Sequence, residues 1–198
     1  FRLGGEVERE VETVPFGTFH RDLFTQVGPF DERLVRNQDI EMNARLRRRG
    51  LRVVISPAIR LSYYNRATLA GLWQQSFNNG RWNPYTVRLT GGSLRLRHFI
   101  PLVFVTALLG AAIGGLFHPL FGAGFLGLVG IYLFSSLGFA LGRRPRLAGT
   151  SVLRVAAAFW TLHLAYGLGA LWGVVTLPVK FPRRCGAQVG RVLSDRRP

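Results

Sequence analysis

One long window without charge constrains the fold of this chain more than any other feature. Between positions 99 and 142 the sequence has no acidic or basic side chain, apart from a proton that His118 can carry. A bilayer core about 30 Å thick needs about 20 mostly apolar residues per helix, and His118-Pro119 divides the window into two pieces of about that length. The sequence therefore predicts two membrane-spanning helices, at 99–117 and 120–141.

A third apolar stretch, at 155–179, leaves two membrane topologies open. If the N-terminal part is cytoplasmic, three full spans place the basic tail at 180–198 outside, against the preference of arginine and lysine for the cytoplasmic side. Either the third stretch re-enters or lies in the membrane interface, or the preference fails here. We favour the first alternative, and expect a multi-pass inner-membrane protein whose N-terminal part and tail are cytoplasmic.

Small residues and one histidine give further predictions for these stretches. Glycine pairs four positions apart, a spacing that lets helices approach closely, occur in all three: Gly110 with Gly114, Gly138 with Gly142, and Gly169 with Gly173. His163 has no neighbours at metal-ligand spacing, so we predict that it packs its helix through a hydrogen bond.

The charges of the chain are segregated. The formal net charge is +16, and nine of the ten acidic residues lie at or before Glu41. Such a charge is typical of nucleic-acid-binding proteins, but here arginines lie at the ends of the apolar stretches, which favours membrane lipids, and no nucleic acid, as partners. Cys185 is the single cysteine, which excludes an intrachain disulfide and fits a reducing compartment.

Residues 1–90 predict a small α/β unit, with 91–98 as a hinge and interfacial segment before the membrane region at 99–179. Helical spacing and terminal glycines predict helices at 21–27, 39–49 and 68–79, ended by Gly28, Gly50 and Gly80. β-Branched residues predict an edge or half-buried strand within 6–14, a strand at 51–55 and an extended segment at 59–64.

The polar cluster at 37–41, NQDIE, carries the carboxylates that could do chemistry. Asp39 and Glu41 are two positions apart at a helix start, so they project in different directions and only one faces a given site. The alternative is structural, because acidic residues at a helix N-terminus satisfy free N–H groups and complement the helix dipole.

The wider pattern resembles the acceptor-side half of family-two glycosyltransferases over roughly residues 6–82. The strings that carry the resemblance are VPFGTFHR at 14–21, GPFDE at 28–32 and NQDIEMNARLR at 37–47. PAI at 57–59, YNR at 64–66, Gln75 and GRW at 80–82 are similar to the membrane-attached branch that builds succinoglycan-type exopolysaccharides. The fold implied is α/β, the acceptor-side half of a GT-A domain, followed by two or three apolar helices.

The resemblance also implies roles for single residues. Asp39 matches the general base, which takes a proton from the acceptor hydroxyl. Gln38 and Glu41 fall beside it as substrate-binding residues, and Gln38 replaces a glutamate of many relatives. Gln75 with Arg81 and Trp82 is similar to the Q-x-x-R-W signature at a longer spacing: Arg81 would meet a diphosphate, and Trp82 either stacks on a sugar or is an ordinary core or interface aromatic.

The family's metal-binding Asp-x-Asp motif has no counterpart in this sequence. The resemblance therefore implies that a divalent cation, Mg²⁺ or Mn²⁺, and the nucleotide-binding half belong to the complete enzyme and not to this chain. We therefore predict no metal ligands among the residues of this chain.

Three functions follow as hypotheses. The leading one is an inverting glycosyltransferase that moves a sugar from a nucleotide sugar to a polyprenyl-diphosphate-linked saccharide at the cytoplasmic face. A processive polysaccharide synthase is the second, although the Gln-Arg-Trp spacing counts against it. A non-catalytic membrane scaffold or inactive fragment is the third.

Overall fold

The structure, a computed structural model, describes residues 7–59, 62–142 and 151–180. Within these ranges the chain forms two short strands and six α-helices, and a 3-10 helix, Leu96–Phe99, leads into the fourth α-helix. In chain order the elements are β1 Arg9–Glu10, α1 Arg21–Val27, α2 Gln38–Arg48, β2 Val54–Ile55, α3 Leu69–Thr90, α4 Ile100–Gly114, α5 Pro119–Gly142 and α6 Val152–Lys180.

The first two helices end where their glycines predict. Gly28 follows α1 with φ 85°, and its N–H donates to the carbonyl oxygen of Phe24 at 3.0 Å. Gly50 follows α2 with φ 76°, and its N–H donates to the carbonyl oxygen of Arg47 at 3.0 Å. Both glycines have the positive φ that residues with a Cβ rarely adopt, so the predictions for these two helix ends are confirmed.

The strands are shorter than the sequence predicts. β1 and β2 form one antiparallel pair, with Arg9 opposite Ile55 and Glu10 opposite Val54. The strand expected at 51–55 is reduced to its last two residues, and residues 62–64 of the expected extended segment form no strand, while 60 and 61 lie outside the described residues. The described N-terminal part is therefore mostly helical, and the larger sheet of an α/β half-domain is not among its elements.

A small apolar core holds α1, α2 and the strand pair together. Its buried members are Val27, Met42, Leu46 and Val53. Partly buried side chains pack on it from the N-terminal segment and from α1, Phe24 among them. The core fixes α2 against α1 and the strand pair, and so sets the position of the polar cluster at 37–41.

The prediction that the third helix stops at Gly80 is wrong. α3 starts at Leu69, after Thr68 has capped it by accepting a hydrogen bond from the N–H of Gly71 at 3.1 Å, and continues to Thr90. Gly80 lies inside the helix against α6, where a Cβ would overlap the carbonyl oxygen of Tyr166. Glycine at this position serves close helix packing and does not end the helix.

The contact between α3 and α6 is the most extensive in the described structure. Gly169 lies against the backbone of Phe77, and Gly173 lies against the carbonyl oxygen of Arg81, so the two helices run in the same direction. The close approach predicted from paired glycines is thus confirmed for this pair. Apart from the backbone of the same helix, no described atom comes within 4 Å of a Cβ added at Gly110, Gly138 or Gly142. The nearest atoms to a Cβ at Gly114 belong to the side chain of Phe121.

Three helical segments are long and apolar enough to cross a membrane: Leu96–Gly114, Pro119–Gly142 and Val152–Val179. The expectation of two to three apolar helices is confirmed. α6 is one unbroken helix of 29 residues, so the described part of the third stretch contains no re-entrant turn. The tail predicted at 180–198 falls, after Lys180, outside the described residues.

His163 packs between helices as predicted. Its Nδ1 lies 2.6 Å from the hydroxyl of Tyr132 in α5 and 3.0 Å from the carbonyl oxygen of Phe159 in α6. The aromatic ring of Phe159 lies nearly parallel to the imidazole at a centroid distance of 6.2 Å. The bond with Tyr132 joins α5 to α6, and the contacts with Phe159 lie within α6.

Candidate active site

The candidate site is built on the first turn of α2. Asn37, directly before the helix, has the left-handed conformation with φ 62° and ψ 21°, which asparagine adopts more readily than most residues. Its side-chain amide donates to the Oδ1 of Asn83 at 3.0 Å and to the Oγ1 of Thr86 at 3.1 Å. These two bonds fix the start of α2 on the side of α3.

Asp39 is half-buried in this first turn. Burial raises the pKa of its carboxyl above the ordinary value of 3.8, and hydrogen bonds from the backbone N–H groups of Ile40 and of Asp39 itself act in the opposite direction. The bond from Ile40 to Oδ1 is 2.9 Å long. A carboxylate whose proton affinity is raised in this way is a stronger base than an exposed aspartate, as general-base catalysis requires.

Gln38 and Trp82 both contact Leu34. The amide of Gln38 donates to the carbonyl oxygen of Leu34 at 2.5 Å. Leu34, fully buried, packs with Trp82 and Tyr85 in a second core cluster. The indole of Trp82 is 6% exposed and meets the ring of Tyr85 edge-on at 5.2 Å, so this conformation agrees with the core alternative for Trp82 and not with sugar stacking.

Gln75 and Arg81 lie on different faces of α3, because six residues correspond to roughly 240° around a helix. Gln75 is half-buried. Its Oε1 accepts from the Nε of Arg66 at 3.3 Å, and its Nε2 donates to the hydroxyl of Tyr63 at 3.2 Å. The Nε of Arg81 is buried, and no hydrogen-bond partner for it lies among the described residues. The extended Q-x-x-R-W pattern therefore does not form one cluster.

Glu41 points away from Asp39 into a structural ion pair. Its carboxylate is buried, and Oε2 accepts from the Nε and Nη2 of Arg45 at 3.1 and 2.8 Å. The same guanidinium donates to the carbonyl oxygens of Val27 and Pro29, both at 2.8 Å. Glu41 thus orients an arginine that ties α2 to the segment after α1, while its substrate-binding role stays a prediction.

We expect Arg45→Met to destabilise the protein by about 3–5 kcal/mol, because a buried carboxylate then loses its cation. A double Glu41→Gln/Arg45→Met variant should recover part of the loss. Thermal unfolding of the purified full-length protein in an uncharged detergent measures both. Arg33→Met is the matched control: Arg33 pairs with Asp31 at 2.6 Å with its own side chain 64% exposed, and its loss should cost about 0–1 kcal/mol.

The substrate-binding hypothesis for Glu41 gives a different pattern for Glu41→Gln. In that case the KM for the acceptor would rise while the unfolding temperature changed little.

Sequence reasoning missed a polar stripe along α3. Asn79 accepts from Arg36 at 3.0 Å, and Asn83 bonds both Asn37 and the hydroxyl of Tyr166 in α6. Thr86 completes the stripe, and its Oγ1 accepts a hydrogen bond from the side-chain amide of Asn37. The signal was present, since polar residues at 75, 79, 83, 86 and 90 recur at helical spacing and mark one face.

The stripe links α2, α3 and α6 in one hydrogen-bonded chain. Asn37 contacts Asn83, and Asn83 contacts Tyr166, so the residue two positions before Asp39 is connected to an apolar helix. A second hydrogen bond, 2.6 Å long, joins the hydroxyl of Tyr85 in α3 to the hydroxyl of Thr176 in α6. The position of the polar cluster at 37–41 therefore depends on α6.

Potential metal ligands do not cluster in groups of three or more in the described part of the chain. No three histidine, cysteine, aspartate or glutamate side chains come together within 7–59, 62–142 and 151–180. We therefore assign no step of the chemistry below to a metal ion held by these residues.

The chain is similar to the succinoglycan biosynthesis protein ExoA of Rhizobium meliloti (strain 1021), with 28% identity over 154 residues. The match covers 75% of this chain and 43% of that protein, so the chain spans less than half the length of its relative. No family model matches the chain, and no solved structure matches it significantly.

Proposed function

We propose that this chain is the acceptor-side, membrane-attached part of a glycosyltransferase that acts in exopolysaccharide or other cell-surface glycan synthesis. The observation that carries the proposal is the match to a succinoglycan biosynthesis protein over three quarters of the chain. The half-buried carboxylate of Asp39 supports it, because hydrogen bonds from Asn37 to Asn83 and from Asn83 to Tyr166 join this turn to α6, a helix that can cross a membrane.

In the proposed reaction Asp39 is the general base. A hydroxyl of the acceptor loses its proton to the carboxylate as its oxygen attacks the anomeric carbon of the donor sugar. The bond from that carbon to the nucleotide diphosphate breaks at the same time, and the diphosphate leaves with the electron pair. Direct displacement inverts the anomeric configuration. A divalent cation on the diphosphate remains an expectation for the complete protein.

The surroundings of Asp39 suit this role in two ways. Burial raises the pKa of the carboxyl. The hydrogen bonds from Asn37 to Asn83 and Thr86 hold the start of α2 on α3. Gln38 is fixed by the carbonyl of Leu34, so it orients the same turn. We assign substrate contacts to Gln38, Arg81 and Trp82 only as part of this proposal, with Trp82 requiring a change of its present buried position.

The proposed acceptor is a polyprenyl-diphosphate-linked saccharide at the cytoplasmic face of the inner membrane, and the donor is a nucleotide sugar. Both fit the arginines that precede the first apolar segment, because guanidinium groups suit phosphate oxygens. Processive synthesis is less well supported, since Gln75 and Arg81 lie on different faces of α3.

A transfer assay tests the proposal. The full-length protein, reconstituted in vesicles with a lipid extract from its own cells, is supplied in turn with radiolabelled nucleotide sugars. We expect one donor to add a single sugar to the lipid fraction, with vesicles lacking the protein as the control. A long polymer would instead support the processive synthase, and the absence of transfer from every donor by a folded protein would support the scaffold.

A further inference from the structure

A basic cavity lies at the end of α2 remote from Asp39. It has a volume of about 390 Å³ and lies between the last turns of α2 and α3 and the loop that follows α3. The side chains that matter for its chemistry are Glu12, Arg47, Arg48, Ser93 and Arg95. Three cations and one carboxylate leave the cavity with a net positive charge.

The cavity already contains an oxyanion of the protein itself. The carboxylate of Glu12 accepts from the Nε and Nη2 of Arg95 at 2.8 and 2.5 Å. This hydrogen bond, and the charges of Arg95, Arg47 and Arg97, hold the pKa of Glu12 below its usual value of 4.5 against the opposing effect of desolvation. An oxyanion is therefore stable at this position, and one carboxylate does not use all the donors around it.

Arg47 and Arg48 provide further donors. Both side chains line the cavity, and the Glu12 carboxylate is paired with Arg95 and not with either of them. Arginine is the residue whose planar donors best match phosphate oxygens.

The loop beside Arg47 brings backbone close to the cavity. Gly91 and Gly92, which have no side chains, line this wall with backbone, and their φ values of 65° and 114° are ones that residues with a Cβ rarely adopt. The hydroxyl of Ser93 bonds to the Oγ1 of Thr90 at 2.7 Å, which fixes the loop on the end of α3. The cavity is thus built from fixed elements.

The cavity adjoins the first apolar segment. Arg95 lines it, and the candidate span begins at the next residue, Leu96, whose side chain is 88% exposed. An exposed leucine beside a basic cavity suits the boundary between headgroups and acyl chains. This position favours a phosphate carried by a lipid over one free in solution.

We propose that this cavity, the lipid-phosphate pocket, binds the phosphate group of an anionic membrane lipid through Arg47, Arg48 and Arg95, with Glu12 as an internal competitor. Arg47 follows Asp39 by eight residues, which is about 12 Å along a helix. The pocket is therefore separate from the proposed base, and the inference stands beyond the proposed sugar transfer.

The test uses the full-length protein immobilised in an uncharged detergent and equilibrated with fluorescent phosphatidic acid in mixed micelles. We expect retention of phosphatidic acid but not of equally labelled phosphatidylcholine. Arg47→Gln/Arg48→Gln should weaken retention about tenfold or more, because the variant removes the charge-assisted hydrogen bonds of both side chains to the phosphate. Glu12→Gln should strengthen retention, a gain that misfolding does not produce.

Arg21→Gln is the matched control, since Arg21 is an exposed arginine of α1 outside the pocket, and it should retain the lipid normally. An equal loss in Arg21→Gln and in the double variant would overturn the proposal, because binding would then follow net charge alone. If inorganic phosphate displaced the labelled phosphatidic acid as effectively as unlabelled lipid does, the claim that the pocket selects a lipid phosphate would be wrong. Asp39→Asn should retain phosphatidic acid as the wild type does. Lipid binding and sugar transfer are therefore tested independently of each other.

Discussion

Replacing Asp39 by asparagine is expected to abolish sugar transfer by the complete protein and to leave its fold intact. General acid–base catalysis contributes about 10²–10⁴-fold to a rate, and an amide does not accept the proton of the acceptor hydroxyl. The side-chain oxygen of asparagine still accepts the N–H of Ile40, which Oδ1 of Asp39 accepts at 2.9 Å. The measurement is the rate of single-sugar transfer at saturating donor.

The stability of the same variant tests the raised pKa. A carboxyl whose pKa is higher in the folded than in the unfolded state binds protons more tightly when folded, so stability falls as pH rises through the folded pKa. At neutral pH the ionised Asp39 is therefore a net cost, because its burial outweighs the backbone hydrogen bonds. Asp39→Asn should unfold at the same or a higher temperature than the wild type.

Asp31→Asn is the matched control for Asp39→Asn. Its carboxyl has a lowered pKa, chiefly through the hydrogen bond from Arg33, so the linkage has the opposite sign: stability is present above the unfolded pKa and is lost as pH falls through the folded pKa. This variant should lose a little stability and keep transfer activity. Transfer retained by Asp39→Asn would exclude Asp39 as the base.

Gly80→Ala is expected to destabilise the contact between α3 and α6 strongly. A Cβ on Gly80 overlaps the carbonyl oxygen of Tyr166 and lies 2.9 Å from the backbone nitrogen of Ala170. These are backbone atoms of a long helix, so they do not move aside separately. Overpacking of this kind costs about 1–3 kcal/mol, and more where the backbone must shift. Thermal unfolding in detergent measures the loss.

Gly138→Ala provides the control, since no described atom outside the backbone of its own helix lies within 4 Å of a Cβ at that position. Alanine is about 1 kcal/mol more favourable than glycine inside a helix, so this variant should be neutral or slightly stabilised. Gly169→Ala, which meets the backbone of Phe77, should behave as Gly80→Ala does. Equal behaviour of Gly80→Ala and Gly138→Ala would contradict the close contact.

Predictions from the sequence succeeded where the determinant is local. Gly28 and Gly50 end α1 and α2 because each has a positive φ at its own position. The apolar stretches identify, by length and composition alone, the helices that could cross a membrane. Gly80 failed because its role is set by Tyr166, which is distant in sequence. No pattern within 68–79 separates a glycine that ends a helix from one that packs it.

The candidate site was predictable in part for the same reason. The turn that carries Gln38 and Asp39 follows from local spacing and from resemblance to a family. The pairing of Glu41 with Arg45, at a spacing of four, was also readable on a helix. The bonds from Asn37 to α3 and from Asn83 to α6 were not, because they join elements whose relative position the sequence leaves open.

The contact between α3 and α6 also sets an order of events during biosynthesis. Tyr85 meets Thr176, which is encoded 91 residues later, so at about 5–20 residues per second the ribosome adds it on the order of 5–18 s afterwards. Until then Phe77, Trp82 and Tyr85 lack the surface that covers them. A nascent chain interrupted before α6 would expose this face to chaperones and proteases, which gives the cell a means to remove incomplete copies.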